Sequence, residues 1–217
     1  RMAKLSVGII GTGFGAKVHV PAFRTVPAVE VVAIAGQDRR KAALAGQALG
    51  IPTVHDSWQR LIDDEKVEAV VVAVPPSAHF DVVTAALRAG KHVLCEKPFG
   101  VDAGQAARMW ELARASDRVC MVDYMFRMAP ERVRLKELLD GHEIGRIIRV
   151  TVEWTVRGRA AGNSAWSWQF DPSFGGGVLF AFGAHVVDYL QWLVGPVRSV
   201  AARLSTRGGP AQFVPMD

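Results

Sequence analysis

From residue 4 to about 122, short β-branched runs alternate with helix-patterned stretches. That order predicts a parallel sheet whose strands are joined by crossover helices. Strands are expected at residues 5–10, 29–35, 52–54, 69–74, 92–95 and 119–122. Several are apolar at consecutive positions, as strands buried on both faces are. Ser77 is placed to cap a helix over 78–89 that Gly90 closes, and Asp102 to cap one running to about 115.

Past residue 122 the period changes. After a helix near 130–139, Ile148, Val150, Val152, Trp154 and Val156 alternate strictly with Arg149, Thr151, Glu153 and Thr155, the pattern of a half-exposed strand in an antiparallel sheet. Val200, Ala202 and Leu204 repeat it, with a helix over about 185–193, closed by Gly195 and Pro196, in between. The expected fold is therefore α/β, with a doubly wound parallel sheet at 1–122 followed by a mostly antiparallel open sheet with helices at 123–217. Two strands and two helices make a meagre sheet domain, so the second is expected to be incomplete. A half-exposed sheet of this kind predicts a homo-oligomer formed through one face.

Composition removes several function classes. Half of the 217 residues are hydrophobic and 22% are charged, which is a folded chain's balance, not a disordered one's. The net charge of +5 suits an anionic partner. Lys and Arg are nevertheless scattered in ones and twos, with no basic stripe interleaved with aromatics, so nucleic acid is not expected. A phosphorylated cofactor or acidic substrate accounts for the sign. Two cysteines, Cys95 and Cys120, make neither a disulfide framework nor a four-ligand zinc site, and no metal is expected. With no uninterrupted run of about 18 apolar residues and no signal peptide pattern, a cytoplasmic protein without membrane partners is expected.

The most specific motif is Gly11-Thr12-Gly13-Phe14-Gly15-Ala16, which follows the first strand directly and opens a helix. Gly11 allows a tight turn, Gly13 lets backbone N–H groups approach a pyrophosphate, and Ala16 lets helix and strand pack closely. The helix N-terminus then faces the phosphates. At the tip of the second strand, where NAD-binding folds usually place an acid for the ribose, the chain reads Gly36-Gln37-Asp38-Arg39-Arg40. Glycine at 36 removes a carboxylate that would repel a 2′-phosphate, and Arg39 or Arg40 can bind one. NADP is therefore favoured over NAD. Asp38 has two open roles, at the ribose or as the cap of the next helix.

The fifth strand ends in Cys95-Glu96-Lys97-Pro98, which puts a lysine at the carboxyl edge of the sheet, where open α/β folds bind ligands. Together with residues 11–16, Val74-Pro75-Pro76-Ser77-Ala78-His79, Tyr124-Met125-Phe126-Arg127, Trp168-Gln169-Phe170-Asp171-Pro172, Gly175-Gly176-Gly177 and Gly183-Ala184-His185, this motif makes the chain resemble, end to end, the glucose-fructose oxidoreductase and inositol dehydrogenase family, Gfo/Idh/MocA. The resemblance implies an oxidoreductase acting on a secondary alcohol or ketone of a sugar, cyclitol or related small molecule. It implies that Lys97 lies near nicotinamide and the reacting carbinol, that Pro76 and His79 line the cofactor with Pro75 and Glu96 beside them, and that His185 faces the substrate.

Loss of the hydroxyl proton needs a histidine, or a lysine whose ammonium is disfavoured, within reach, and Lys97 and His185 are of those types. The family's usual aspartate, four residues before this histidine, is here Ala181. Asp188, three residues after it, is an alternative partner to orient the ring. Asp171, Tyr124 and Arg127 are further candidates for the polar wall, and Trp168 for stacking on a sugar face or for packing. Ala181 also supports a second expectation, a non-catalytic dinucleotide sensor on the same fold.

Overall fold

A computed structural model describes residues 3–154 and 168–203. The chain divides into two compact units, Arg1–Asp123 and Tyr124–Asp217.

In the first unit six strands form one sheet: β1 (Leu5–Ile10), β2 (Val29–Ala35), β3 (Thr53–His55), β4 (Ala69–Val72), β5 (His92–Cys95) and β6 (Cys120–Val122). Every pairing is parallel, in the order β3-β2-β1-β4-β5-β6. The order reverses beside β1, the topological switch point at which such sheets bind ligands. Consecutive apolar residues serve two cores because alternate side chains leave opposite faces of a strand. Ile10, Val70, Val72, Val93 and Cys95 face one cluster, shared with α3 (Trp58–Ile62), α4 (His79–Arg88) and α5 (Ala103–Ala115). Val7, Ile9, Ile34, Ala69 and Val71 face the other, shared with α1 (Val20–Arg24) and α2 (Arg39–Leu49).

Caps follow the sequence with one exception. The side chains of Asp38 and Asp102 accept hydrogen bonds from Lys41 N (3.0 Å) and Gln105 N (2.7 Å). Ser77 does not cap α4. The chain first makes a 3-10 turn, Pro76–Ala78, and α4 begins at His79 with no side-chain cap. Proline at the start of that turn has its φ already set for it.

The second unit holds a 3-10 turn Met125–Met128, α6 (Pro130–Asp140), two 3-10 turns (Trp168–Phe170 and Pro172–Phe174), a π-helical turn Leu179–Gly183 and α7 (Ala184–Val194). No strand is formed among the described residues of this unit, and the two segments expected to form the antiparallel sheet run on into residues outside them. Ile148 and Val200 are 90% and 80% exposed. An alternating segment becomes a strand only when another strand takes up its backbone N–H and C=O groups, and no described residue does so. Residues 155–156 and Leu204 lie outside the described residues.

One stretch among the described residues, Pro172–Val194, has the length and composition to cross a membrane, with a mean hydropathy of 1.3. It contains buried His185 and the ion-paired carboxylate of Asp188, groups that are expensive in hydrocarbon.

Candidate active site

The strand register brings a row of candidate site residues to one edge of the first unit. Ile10 aligns with Ala35 and with Val72, Val72 with Cys95, and Cys95 with Val122. The residues that follow these are Gly36, Gly11, Ala73, Glu96 and Asp123. Backbone bonds carry the ladder one step past the strands: Gly11 N to Ala35 O (2.9 Å), Ala73 N to Ile10 O (2.8 Å), Glu96 N to Val72 O (2.9 Å) and Asp123 N to Cys95 O (2.8 Å). Neighbouring strands lie about 4.8 Å apart, so the glycine-rich turn, Glu96-Lys97 and Asp123 share one carboxyl edge.

The turn has the shape its glycines predict. Gly11 has φ +124°, and a Cβ there would lie 2.1 Å from Ala73 O, so a side chain is barred both by backbone conformation and by the next strand. A Cβ on Gly13 would meet nothing within 4 Å, and this exposed glycine leaves the backbone open to a phosphate. Ala16 is 5% exposed in the core with Ile9 and Val20. Gly15 is buried, Thr12 half-buried and Phe14 exposed. The turn therefore fits a dinucleotide pyrophosphate.

At the tip of β2, a Cβ on Gly36 would lie 2.6 Å from Thr12 Cγ2, so glycine at this position lets the glycine-rich turn seat closely against β2. The carboxylate of Asp38 is held in its capping bond and lies 3.7 Å from Lys41 Nζ. Gln37, Arg39 and Arg40 are exposed at the start of α2.

The lysine turn is half-buried. Burial holds the Lys97 ammonium below the ordinary lysine range, and the carboxylates of Glu96 and Asp123 pull it back upward. The expectation that His79 lines the cofactor is corrected. Its ring is 0% exposed, with Nδ1 2.9 Å from Pro98 O and Nε2 2.9 Å from Val74 O. Neither nitrogen is turned toward a ligand. Instead the ring spans the two segments that follow β4 and β5, and desolvation disfavours its charged form. Pro76 is likewise buried, while Pro75 is half-buried.

Two residues that sequence reasoning passed over complete this edge. The helix after the glycine-rich turn opens with a π turn, Gly15–His19, closed by Val20 N–H to Gly15 O. Such turns insert an extra residue and recur at functional sites. His19, 5% exposed, packs between Phe14 and Phe23 and sets Nε2 2.8 Å from Glu96 Oε1 and 3.9 Å from Asp123 Oδ2. The shorter contact is a hydrogen bond, and a proton fills that space. Burial and the neighbouring Glu96 charge hold the Asp123 carboxyl above the usual carboxylate range. The sequence signals were a histidine one turn past the glycine motif and an acid directly after the sixth strand.

In the second unit, His185 is 5% exposed on α7, with its ring 4.2 Å from Phe126 and 5.9 Å, edge-on, from Tyr124. Trp154 packs on Phe126 and Phe182. Asp188 does not orient His185. Its two oxygens form a fork with Arg127, from Nε at 2.6 Å and from Nη2, so two residues expected on the polar wall are each other's partners. Asp171 caps its own turn by accepting from Ser173 N (2.9 Å) and Ser173 Oγ (2.6 Å). Trp168 is half-buried; the carbonyls of Trp168, Gln169 and Asp171 converge on Gly176, where a Cβ would lie 2.7 Å from each. Ala181 sits in the π turn before α7, beside Phe180 and Phe182.

Comparison with known proteins matches residues 5–124 to an oxidoreductase family with an NAD-binding Rossmann fold, and residues 133–215 to the GFO/IDH/MocA C-terminal domain. Levoglucosan dehydrogenase of Pseudarthrobacter phenanthrenivorans is 33% identical over 94% of this chain and 55% of its own length. The structure of a levoglucosan dehydrogenase in complex with NADH and levoglucosan aligns with a TM-score of 0.80 at 30% identity, over 88% of this chain and 54% of the other. A 3-ketoreductase from Actinomadura kijaniata in complex with NADP aligns with a TM-score of 0.79 at 29% identity, over 88% of this chain and 58% of the other. The chain spans about half the length of the curated relatives it matches. On the glycine-rich turn, the Glu96-Lys97 edge and both family matches, this chain belongs to the GFO/IDH/MocA family of oxidoreductases.

Proposed function

We propose that this chain is the dinucleotide-binding and proton-handling part of an NAD(P)-dependent dehydrogenase that interconverts a secondary alcohol and a ketone on a sugar, cyclitol or related polyol. The observation that carries the proposal is the placement of Lys97, half-buried with its ammonium disfavoured, on the same sheet edge as a glycine turn open to a pyrophosphate. A bound nicotinamide would supply the acceptor for the electron pair of the alcohol's C–H bond. The glycine turn holds the pyrophosphate by backbone N–H groups. Gly36, Arg39 and Arg40 favour the 2′-phosphate of NADP, whereas the solved relatives include both NADH and NADP complexes. Lys97 takes the hydroxyl proton in oxidation and returns it in reduction. His185, buried in the aromatic surround of the second unit, is of the residue type that exchanges protons near neutral pH.

One feature favours a second reading, a dinucleotide sensor without turnover: position 181, in the turn before α7, is an alanine, which itself offers no carboxylate to assist His185. Turnover separates the two. Incubated with sugars and polyols and either oxidised cofactor, the protein should generate reduced nicotinamide, preferentially from NADP. Binding without turnover of any sugar or polyol, in a protein whose Lys97→Met variant behaves identically, would establish the sensor.

A further inference from the structure

The glycine-rich turn carries one large side chain, Phe14, between Gly13 and Gly15. It is 44% exposed, whereas Ala16, two residues on, is buried in the core. A single exposed apolar residue is ordinary on a protein surface. This one adjoins Gly13, where a Cβ would meet nothing within 4 Å, so it stands beside the open backbone to which a pyrophosphate would bind. Its ring meets that of His19 edge-on, with centroids 5.4 Å apart and planes at 77°. That contact leaves nearly half of the residue's surface uncovered.

His19 tells which half of a dinucleotide Phe14 would meet. Its Nε2 lies 2.8 Å from Glu96 Oε1 and 3.9 Å from Asp123 Oδ2, on the residues that follow β5 and β6. A dinucleotide bound across the switch point sends its adenosine ribose toward the tip of β2 and its nicotinamide toward the opposite side. Gly36 marks the first direction and Glu96-Lys97 the second. Through His19, Phe14 is tied to the second. The two redox states differ there in charge: the oxidised nicotinamide is an aromatic cation, and the reduced one is an uncharged dihydropyridine. The face of a phenyl ring carries the negative part of its quadrupole and attracts a cation placed over it.

We propose that Phe14 determines specificity for the redox state of the cofactor, its ring lying against the nicotinamide and binding the oxidised form more tightly than the reduced. The inference deepens the dinucleotide-binding reading and rests on it. Oxidised cofactor with alcohol and reduced cofactor with ketone are the two sides of one reaction, so a tighter hold on the oxidised form displaces the bound equilibrium toward the alcohol. The carboxylates of Glu96 and Asp123 on the same edge also favour the cation, and the ammonium of Lys97 opposes it. The contribution of Phe14 is therefore the part that changes when that ring alone is replaced.

The test is a set of dissociation constants, measured by calorimetry on the full chain, for NADP+, NADPH and adenosine 2′,5′-bisphosphate, which lacks the nicotinamide. Phe14→Leu should weaken NADP+ by about fivefold, with NADPH and the bisphosphate changed by less than about twofold. Phe14→Tyr, which keeps an aromatic face, should retain the preference. Should Phe14→Leu fail to fold, Phe14→Met carries the same prediction. Equal weakening of NADP+ and NADPH, or weakening of neither, overturns the proposal and leaves the dinucleotide-binding reading standing. Weakening of the bisphosphate by as much as NADP+ overturns it too, since the ring would then serve the adenosine half. Absence of NADP+ and NADPH binding by the folded, unmodified chain overturns both.

Discussion

Val70, Val71 and Val72 in the first unit and Ile148, Val150 and Val152 in the second are the same kind of residue in equally strand-like sequence. The first three are at most 1% exposed, and the second three are 90%, 47% and 39% exposed. What differs is the partner. β4 has β1 on one side and β5 on the other, with helices over both faces, whereas residues 148–154 have no strand beside them among the described residues, Trp154 packing instead on Phe126 and Phe182. β-branched alternation states a capacity for pairing, and only a neighbouring strand converts it into buried area and satisfied backbone. The same contrast governs the chemistry. On the first unit a ladder of backbone bonds fixes five candidate positions along one edge; in the second, Arg127 and Asp188 pair across 61 residues and Asp171 caps its own turn.

The comparison can be sharpened by substitution, taking the largest effect first. Lys97→Met should lower turnover of the competent protein by about 1,000-fold, equivalent to about 4 kcal/mol, while cofactor affinity measured by nicotinamide fluorescence changes only a few-fold. Ile9→Ala, at a side chain with 0% exposure, should cost about 3 kcal/mol of stability in denaturant titration, the usual consequence of a cavity in a packed core. Arg127→Ala leaves the buried Asp188 carboxylate without its fork. With the Arg127 side chain 36% exposed, solvent screens part of the loss, and about 2 kcal/mol is expected in the same assay. Asp102→Ala removes the α5 cap and should cost about 1 kcal/mol. Ile148→Ser should change stability by less than about 0.5 kcal/mol; a loss as large as that at Ile9 would show that the second unit's alternating segment is packed in solution, and would break the comparison.

Much of the first unit was legible because each signal there is local and agrees with its neighbours. The glycine turn follows a strand, Asp102 precedes a helix, and the apolar runs have the length of buried strands. Ser77 misled because proline at 76 offers a shorter turn first. His79 misled for a different reason: a histidine in a cofactor-edge motif looks like a ligand group, and only burial shows its ring committed to two backbone carbonyls. His19 and Asp123 each stand at a marked position, but their meeting was not legible because it depends on the π turn and on the β5–β6 register. In the second unit Arg127 and Asp188 stand 61 residues apart, a separation at which sequence says nothing about pairing.

The central claim is that the glycine turn and the edge beside it bind a nicotinamide dinucleotide. The measurement that tests it most directly is titration of the purified chain with NADPH and, separately, with NADH, followed by nicotinamide fluorescence and tryptophan quenching, alongside Gly13→Glu, whose carboxylate would occupy the open space over the turn. The account predicts saturable binding, tighter for NADPH, that the substitution abolishes without unfolding the chain. Absence of binding by either form to a demonstrably folded chain, or binding untouched by Gly13→Glu, would contradict it.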